Sequence, residues 1–251
     1  MKFGTNEIQK VYLGTTELNG MYFGSNQVYT KGGFDEYTVA VFHLDGGDTH
    51  LDNAVPGSTT GLSNTNSDGV TAAGTFITKN TTPKFGDRCA GYGSYTNSYL
   101  TMFTNLPSGF LSHDFTWDWW QKTTTGADFT DSYALMFGVR STNDSVTIGL
   151  MGTKVRCNTK NGSTYIKTGL TTADTLAEAT WYHLAIEKYN GTFYLYVNGE
   201  MCQTVEGFTP TSAVHYGMTN NFLQQRFDEI RLSSTARYHG QDFTPPTQPY
   251  S

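Results

Sequence analysis

Trp181-Tyr182-His183-Leu184-Ala185-Ile186-Glu187, Asn190-Gly191, Phe193-Tyr194-Leu195-Tyr196-Val197, Asn198-Gly199 and Glu200-Met201-Cys202-Gln203 form the stretch on which the fold turns. Asn-Gly suits the left-handed conformations that a two-residue hairpin loop demands at both of its positions. Two such pairs, flanked by aromatic and β-branched runs, predict three consecutive antiparallel strands.

Outward from this passage, similar strand-length runs recur: Tyr37 to Leu44, Tyr99 to Phe103, Phe115 to Lys122, Tyr133 to Arg140, Val146 to Met151, Lys154 to Asn158 and Arg226 to Leu232. Alternation puts Phe115, Trp117 and Trp119 on one face of their strand and Trp120 on the other, as expected of a strand covered on both sides. After the last run, Phe243-Thr244-Pro245-Pro246 cannot continue a ladder and should run extended along the surface. No long amphipathic helix is written into the chain. Many short strands closed by hairpins predict an all-β fold, a two-sheet antiparallel jelly-roll sandwich.

Composition agrees and narrows the function. The 251 residues are 37% hydrophobic and only 15% charged, with 27 glycines, which excludes a coiled coil or helical bundle. A net charge of −6, with no run of Lys or Arg, removes the main driving force for binding nucleic acid. No apolar stretch has the length of a membrane span, and the first residues lack an apolar signal region, so the expectation is a chain made in the cytoplasm. Cys89, Cys157 and Cys202 have no zinc or disulfide spacing and read as buried thiols.

The first 33 residues form a separate unit. Phe3-Gly4-Thr5-Asn6-Glu7-Ile8, Leu13-Gly14-Thr15-Thr16-Glu17-Leu18 and Phe23-Gly24-Ser25-Asn26-Gln27-Val28 repeat at a spacing of ten, with Val11-Tyr12 and Met21-Tyr22 between them. Each copy reads as a short apolar strand, a turn at Gly4, Gly14 or Gly24, and a second short strand. Three such units are too small to bury two faces, so this arm needs a partner surface. Either it packs on its own domain, or Phe3, Val11, Tyr12, Leu13, Met21, Tyr22 and Phe23 with the three glycines make a docking or oligomerisation element. Lys31-Gly32-Gly33 then serves as a hinge to a second domain, 34–251.

Two resemblances follow. From about Tyr37 to Tyr250 the chain resembles the concanavalin A-like lectin/glucanase superfamily, in its laminin G-like jelly-roll branch. The match rests on Phe42-His43-Leu44-Asp45-Gly46, Lys84-Phe85-Gly86, Asp114 to Trp120, Trp181 to Ala185, Tyr196-Val197-Asn198-Gly199 and Phe227 to Leu232, in that order. The repeat, together with the ending Ala236-Arg237-Tyr238 and Phe243 to Pro246, resembles virion proteins of tailed phages. That likeness implies an arm docked on other virion proteins or on two further copies in a trimer, with the jelly roll displayed outward, as a tail fibre, tail-associated or head decoration protein able to bind a host surface glycan. It also implies a place in the virion.

Glycosidases of this superfamily carry two carboxylates as Glu-x-Asp-x-(x)-Glu on one strand, and this chain has no such motif among its eight glutamates. Gly61-Leu62-Ser63-Asn64-Thr65 lacks the second glycine of a serine elbow, and the six histidines show no His-Glu-x-x-His. No catalytic residue is therefore expected, and His43 and His183 should be packed and hydrogen-bonded. Hard oxygen ligands gather in Asp45-Gly46-Gly47-Asp48-Thr49-His50-Leu51-Asp52. Either these carboxylates cap turns or, as the first resemblance implies, Asp45 or Asp48 and Asp228 hold a structural calcium on the outer face of the sandwich. Tyr92, Tyr95, Tyr99, Tyr133, Tyr165, His215 and Tyr216 are placed near loops where a sugar could stack, but no spacing selects a glycan site.

Overall fold

The computed structural model describes residues 2–3, 6–7, 12–13, 16–17, 20–23, 26–30, 34–45, 52–63, 76–79, 82–92, 99–123, 136–140, 145–151, 154–161, 164–170, 176–207, 215–220 and 225–251. Every hydrogen-bonded strand pair in these residues is antiparallel.

The arm begins with β1 (Lys2–Phe3) and β2 (Asn6–Glu7), followed by β3 (Tyr12–Leu13) and β4 (Thr16–Glu17), then β5 (Gly20–Phe23) and β6 (Asn26–Thr30). Each pair forms its own two-stranded sheet. Phe3 faces Asn6, Leu13 faces Thr16 and Phe23 faces Asn26, so the decapeptide period becomes three hairpins in one register. The turns are thus one residue tighter than a Gly-Thr-Asn reading suggests. Asn6, Thr16 and Asn26 already belong to the returning strands, because only two residues separate the innermost partners.

The second unit contains β7 (Thr38–Phe42), β8 (Gly61–Ser63), β9 (Phe76–Lys79), β10 (Cys89–Tyr92), β11 (Tyr99–Thr104), β12 (Phe115–Thr123), β13 (Met136–Arg140) and β14 (Ser145–Met151). It continues through β15 (Lys154–Asn161), β16 (Thr164–Leu170), β17 (Tyr182–Tyr189), β18 (Thr192–Val197), β19 (Glu200–Val205), β20 (His215–Asn220) and β21 (Gln225–Ser233). A single 3-10 turn, Phe110–Ser112, is the one helical element among the described residues. One sheet runs β19-β18-β17-β12-β21-β10-β9, with β7 also on β21, and the other runs β16-β15-β14-β13-β20-β11-β8. Consecutive strands that belong to different sheets make this a jelly-roll sandwich.

The Asn-Gly signals hold. Asn190 and Gly191 have φ of 49° and 79°, Asn198 and Gly199 have 50° and 82°, and both pairs close two-residue loops between β17, β18 and β19. The apolar faces meet between the sheets. Phe103 of β11 packs on Phe42 of β7 and Trp117 of β12 at ring distances of 6.2 and 5.3 Å, and Val146 and Ile148 of β14 join the same cluster. Phe115, Trp117 and Trp119 all enter this core, and Trp120 is on the opposite face, as alternation requires.

That opposite face is also buried, and the tail covers it. As expected, Phe243 to Pro246 form no strand and run over the surface, and residues 234–250 as a whole make a strap over the outer side of the larger sheet. The Phe243 ring stacks on Tyr238 at 3.5 Å and meets Tyr196 and His183 edge-on, and Tyr250 is buried. Two prolines forbid a strand but do not stop aromatic rings from turning inward. A side chain on Gly199 would run into the Phe243 carbonyl, so this glycine serves both the turn and the close approach of the strap.

Of the cysteines expected to be buried, Cys89 is; Cys202 is half-buried and donates from Sγ to the Leu195 carbonyl at 3.2 Å, and the Cys157 side chain lies outside those described. Of the aromatic residues that the sequence puts near loops, Tyr92, Tyr99, Tyr165, His215 and Tyr216 lie at the ends of strands β10, β11, β16 and β20, next to the connections. Tyr95 and Tyr133 lie outside the described residues.

Candidate functional site

A β-bulge in β21 builds the candidate site. Asp118 faces Arg231 and Trp120 faces Asp228, so two steps along β12 match three along β21. The extra residue is accommodated at Glu229, whose φ of 49° is unusual for a residue with a side chain. Strict alternation would send Asp228 and Glu229 to opposite faces; both instead stay out of the apolar core that holds Phe227 and Ile230, and both are buried, at 0% and 1% exposure.

The two carboxylates find different partners. Asp228 Oδ2 accepts from the backbone N–H of Lys84 at 2.7 Å and of Phe85 at 3.2 Å. Three residues on, Asp45 Oδ1 accepts from the N–H of Asp87 and of Arg88, both at 3.2 Å. The 84–88 loop is therefore held by two aspartates that come from opposite ends of the domain. A Cβ on Gly86 would collide with the Asp45 carboxylate, and its φ of 60° is a left-handed value, so Lys84-Phe85-Gly86 needs its glycine for both reasons. Glu229 Oε1 pairs with His43 Nδ1 at 2.7 Å, and Oε2 accepts the N–H of Tyr250 at 2.8 Å.

Electrostatics distinguish these groups. Burial pushes the Asp228 carboxyl up to about 8; the amides of Phe85 and Lys84 oppose this, while the neighbouring charges of Glu229 and Asp45 add to it. Its Oδ1 has no hydrogen-bond partner among the described residues. The hydrogen bond that His43 donates to Glu229 raises the His43 pKa against its burial. Lys84 lies beside them with its Nζ 3.7 Å from the Trp120 ring centre, and burial lowers its pKa. Lys122 reaches the Thr82 carbonyl at 2.6 Å and rests 4.8 Å from the ring of Trp181, which donates to the same carbonyl.

Asp45 and Asp228, named from the sequence, are thus brought to one loop, whereas Asp48 lies outside the described residues. Gly4, Val11, Gly14 and Gly24 of the arm lie outside them too, and Phe3, Tyr12, Leu13, Met21, Tyr22 and Phe23 are in its hairpin strands. Glu229, the amides of 84–88 and Tyr250 were missed. The adjacent pair Asp228-Glu229, which interrupts the alternation of Phe227, Ile230 and Leu232, was the available signal.

A hard cation suits this donor set on one ground: a buried carboxylate oxygen without a partner is what an oxygen-seeking ion would take. Among the described residues no group of three or more His, Cys, Asp or Glu side chains is gathered as for a metal. The remaining ligands would have to be backbone carbonyls, water or Asp48.

The other buried carboxylates on the strap side are engaged by the fold. Arg231 grips Asp118 through Nε at 3.0 Å and Nη2 at 2.5 Å, and the Tyr238 hydroxyl donates to the same carboxylate. Glu187 accepts from Tyr196, Thr116 and the backbone N–H of Tyr238 and Gly240. His183 Nε2 lies 2.9 Å from the Tyr250 hydroxyl and 3.7 Å from Asp118, but the latter is no ion pair. Burial lowers the His183 pKa to about 4 against the pull of Asp118, so the ring is neutral near pH 7.

A two-sheet jelly roll with a charged, strap-covered outer face defines a class, and comparison with known proteins agrees. The family profile described as concanavalin A-like lectin/glucanases superfamily matches residues 94–239, more than half of the chain. The protein belongs to this superfamily. Domain 4 of AbnA, an extracellular arabinanase of Geobacillus stearothermophilus solved with arabinotriose, is similar with a TM-score of 0.56 at 16% identity, over 80% of this chain and 93% of that one. A protein of unknown function from Shewanella oneidensis MR-1 gives 0.52 at 13% identity, over 82% and 89%. The binding domain of botulinum neurotoxin serotype D gives 0.52 at 12%, over 80% of this chain but 48% of the toxin domain. At these identities the likeness concerns the fold. No curated protein matches the chain.

Proposed function

We propose that this is a non-catalytic adhesive protein of a tailed-phage virion, docked by its hairpin arm and displaying its jelly roll toward a host surface glycan. The observation that carries the reading is the arm. Three hairpins share one register, and among the described residues none pairs with a strand of the sandwich, which closes on itself with its own strap. Short two-stranded sheets are marginal alone and gain order from a partner surface. Engagement of Asp118, Glu187 and Glu229 by fixed donors supports a binding role over hydrolysis, because a glycosidase keeps two carboxylates for substrate.

Deletion of 1–33 is the test. The shortened protein is expected to keep the far-ultraviolet spectrum of a folded sandwich and to lose association with particles. Retained association would refute docking through the arm, and a glycan array with the full chain tests the display role separately.

Calcium belongs to the same proposal, at Asp45, Asp48 and Asp228. A cation bound only to the folded state raises its melting temperature by mass action. Millimolar calcium should raise Tm by a few degrees over chelator, and Asp228→Asn should abolish the difference. An equal shift in the variant would remove the site.

A further inference from the structure

The strap is joined to the first residues of the second unit as well as to the sheet. Phe34, the first described residue after the hinge, is buried in a small cluster with Val41 and Tyr250, apart from the main core. Asp35 receives both Arg237 Nη1 at 2.8 Å and Nη2 at 2.9 Å, and the Ser234 N–H donates to the Tyr37 carbonyl at 2.8 Å. Opposing contributions fix the Asp35 carboxyl: burial works to raise its pKa, but the Arg237 and Thr38 hydrogen bonds prevail and hold it at about 2. Both ends of the second unit are thereby tied to one another.

Beneath the strap the sheet is polar. Asp118, His183, Glu187, Glu229 and Arg231 each use a strap group as a partner, namely the Tyr238 hydroxyl, the Tyr250 hydroxyl, the amides of Tyr238 and Gly240, the Tyr250 amide, and the Tyr250 ring at 4.1 Å. The backbone N–H groups of Arg237, Tyr238, Gly240 and Tyr250 donate to side chains, and only those of Ser234 and Phe243 among the strap amides are seen to donate to carbonyls outside the strap. If the strap lifts, water can replace most of these partners, whereas nothing hydrates the aromatic core on the other face. Opening the strap therefore costs much less than opening the sandwich.

We infer that residues 234–250 and 34–38 form a two-ended latch, a unit that opens before the sandwich unfolds and couples the first residues of the second unit to the outer sheet face. Loosening of Phe34 and Asp35 frees Tyr250 and Arg237 with them. The reverse also holds, since coupling between two sites is reciprocal.

Hydrogen exchange on the full-length chain, read by mass spectrometry, tests this. Strap and 34–38 amides should exchange about a hundredfold faster than those of β12 and β17. Tyr250→Phe, which removes only a hydroxyl, should speed both segments about tenfold and leave β12 unchanged. Asp35→Asn should speed the strap about two- to fivefold, as befits a partly exposed ion pair. Strap exchange at the rate of β12 would overturn the inference, as would a Tyr250→Phe strap that loosens while 34–38 keeps its protection.

Discussion

The two faces of the larger sheet solve burial in opposite ways. Its inner face is aromatic and aliphatic, with Phe42, Phe115, Trp117, Trp119 and Phe227 against the second sheet. Its outer face buries Asp118, Glu187, Asp228, Glu229 and His183, each matched to a fixed donor or acceptor. The inner face depends on area and shape and tolerates no water. The outer face depends on pairing, so its stability lies in the agreement of partners and is sensitive to pH.

Three experiments test that contrast. Trp117→Ala should lose about 3–5 kcal/mol in denaturant unfolding, because a fully buried ring leaves a cavity that the sandwich cannot close. A loss below about 1 kcal/mol would mean that the inner face is not the main source of stability.

On the outer face, Arg231→Met should cost about 3 kcal/mol by leaving Asp118 buried without its cation, and the double variant Asp118→Leu with Arg231→Met should recover most of it. No inner-face pair should show such rescue. Additive losses in this cycle would mean that the outer face is held by packing as well.

The third and smallest effect is a pH slope. His183 has a folded pKa of about 4 against an ordinary 6.5, so the unfolded chain takes up its proton first as the medium is acidified. Stability from this group is intact above pH 6.5 and is lost as pH falls toward 4, on the order of 2–3 kcal/mol in all. His43 opposes it: its raised pKa gives a contribution that is complete below 6.5 and disappears as pH rises through the folded value. Unfolding measured from pH 7 to 4.5 should show a flatter acid limb in His183→Gln than in the parent. Identical slopes would assign the acid loss elsewhere.

The inner face was legible from Phe115-Thr116-Trp117-Asp118-Trp119 alone, since alternation in a strand obeys a fixed period of two. The outer face was not. Asp118 and Glu187 look like solvent-facing residues of half-exposed strands, and nothing local announces that a tail 50 or more positions further on supplies Tyr238 and Gly240 as covers. Asp45 and Asp228 were found as candidates, while their actual partners, the amides of 84–88, are invisible in a sequence because every residue but proline carries one.

What the sequence by itself determined are the features set within a few residues: the Asn190-Gly191 and Asn198-Gly199 hairpins, the inward tryptophans, and the ten-residue period that becomes three hairpins of one register. These follow from backbone preference and side-chain period. The tertiary structure alone decided the bulge at Glu229, the Asp228 to Lys84 contact across 144 positions, and the strap that turns a polar face into a buried one. Such contacts rest on hydrogen-bonding groups with many alternative partners, and only the packed sandwich, by bringing distant segments together and excluding water, selects one set among them.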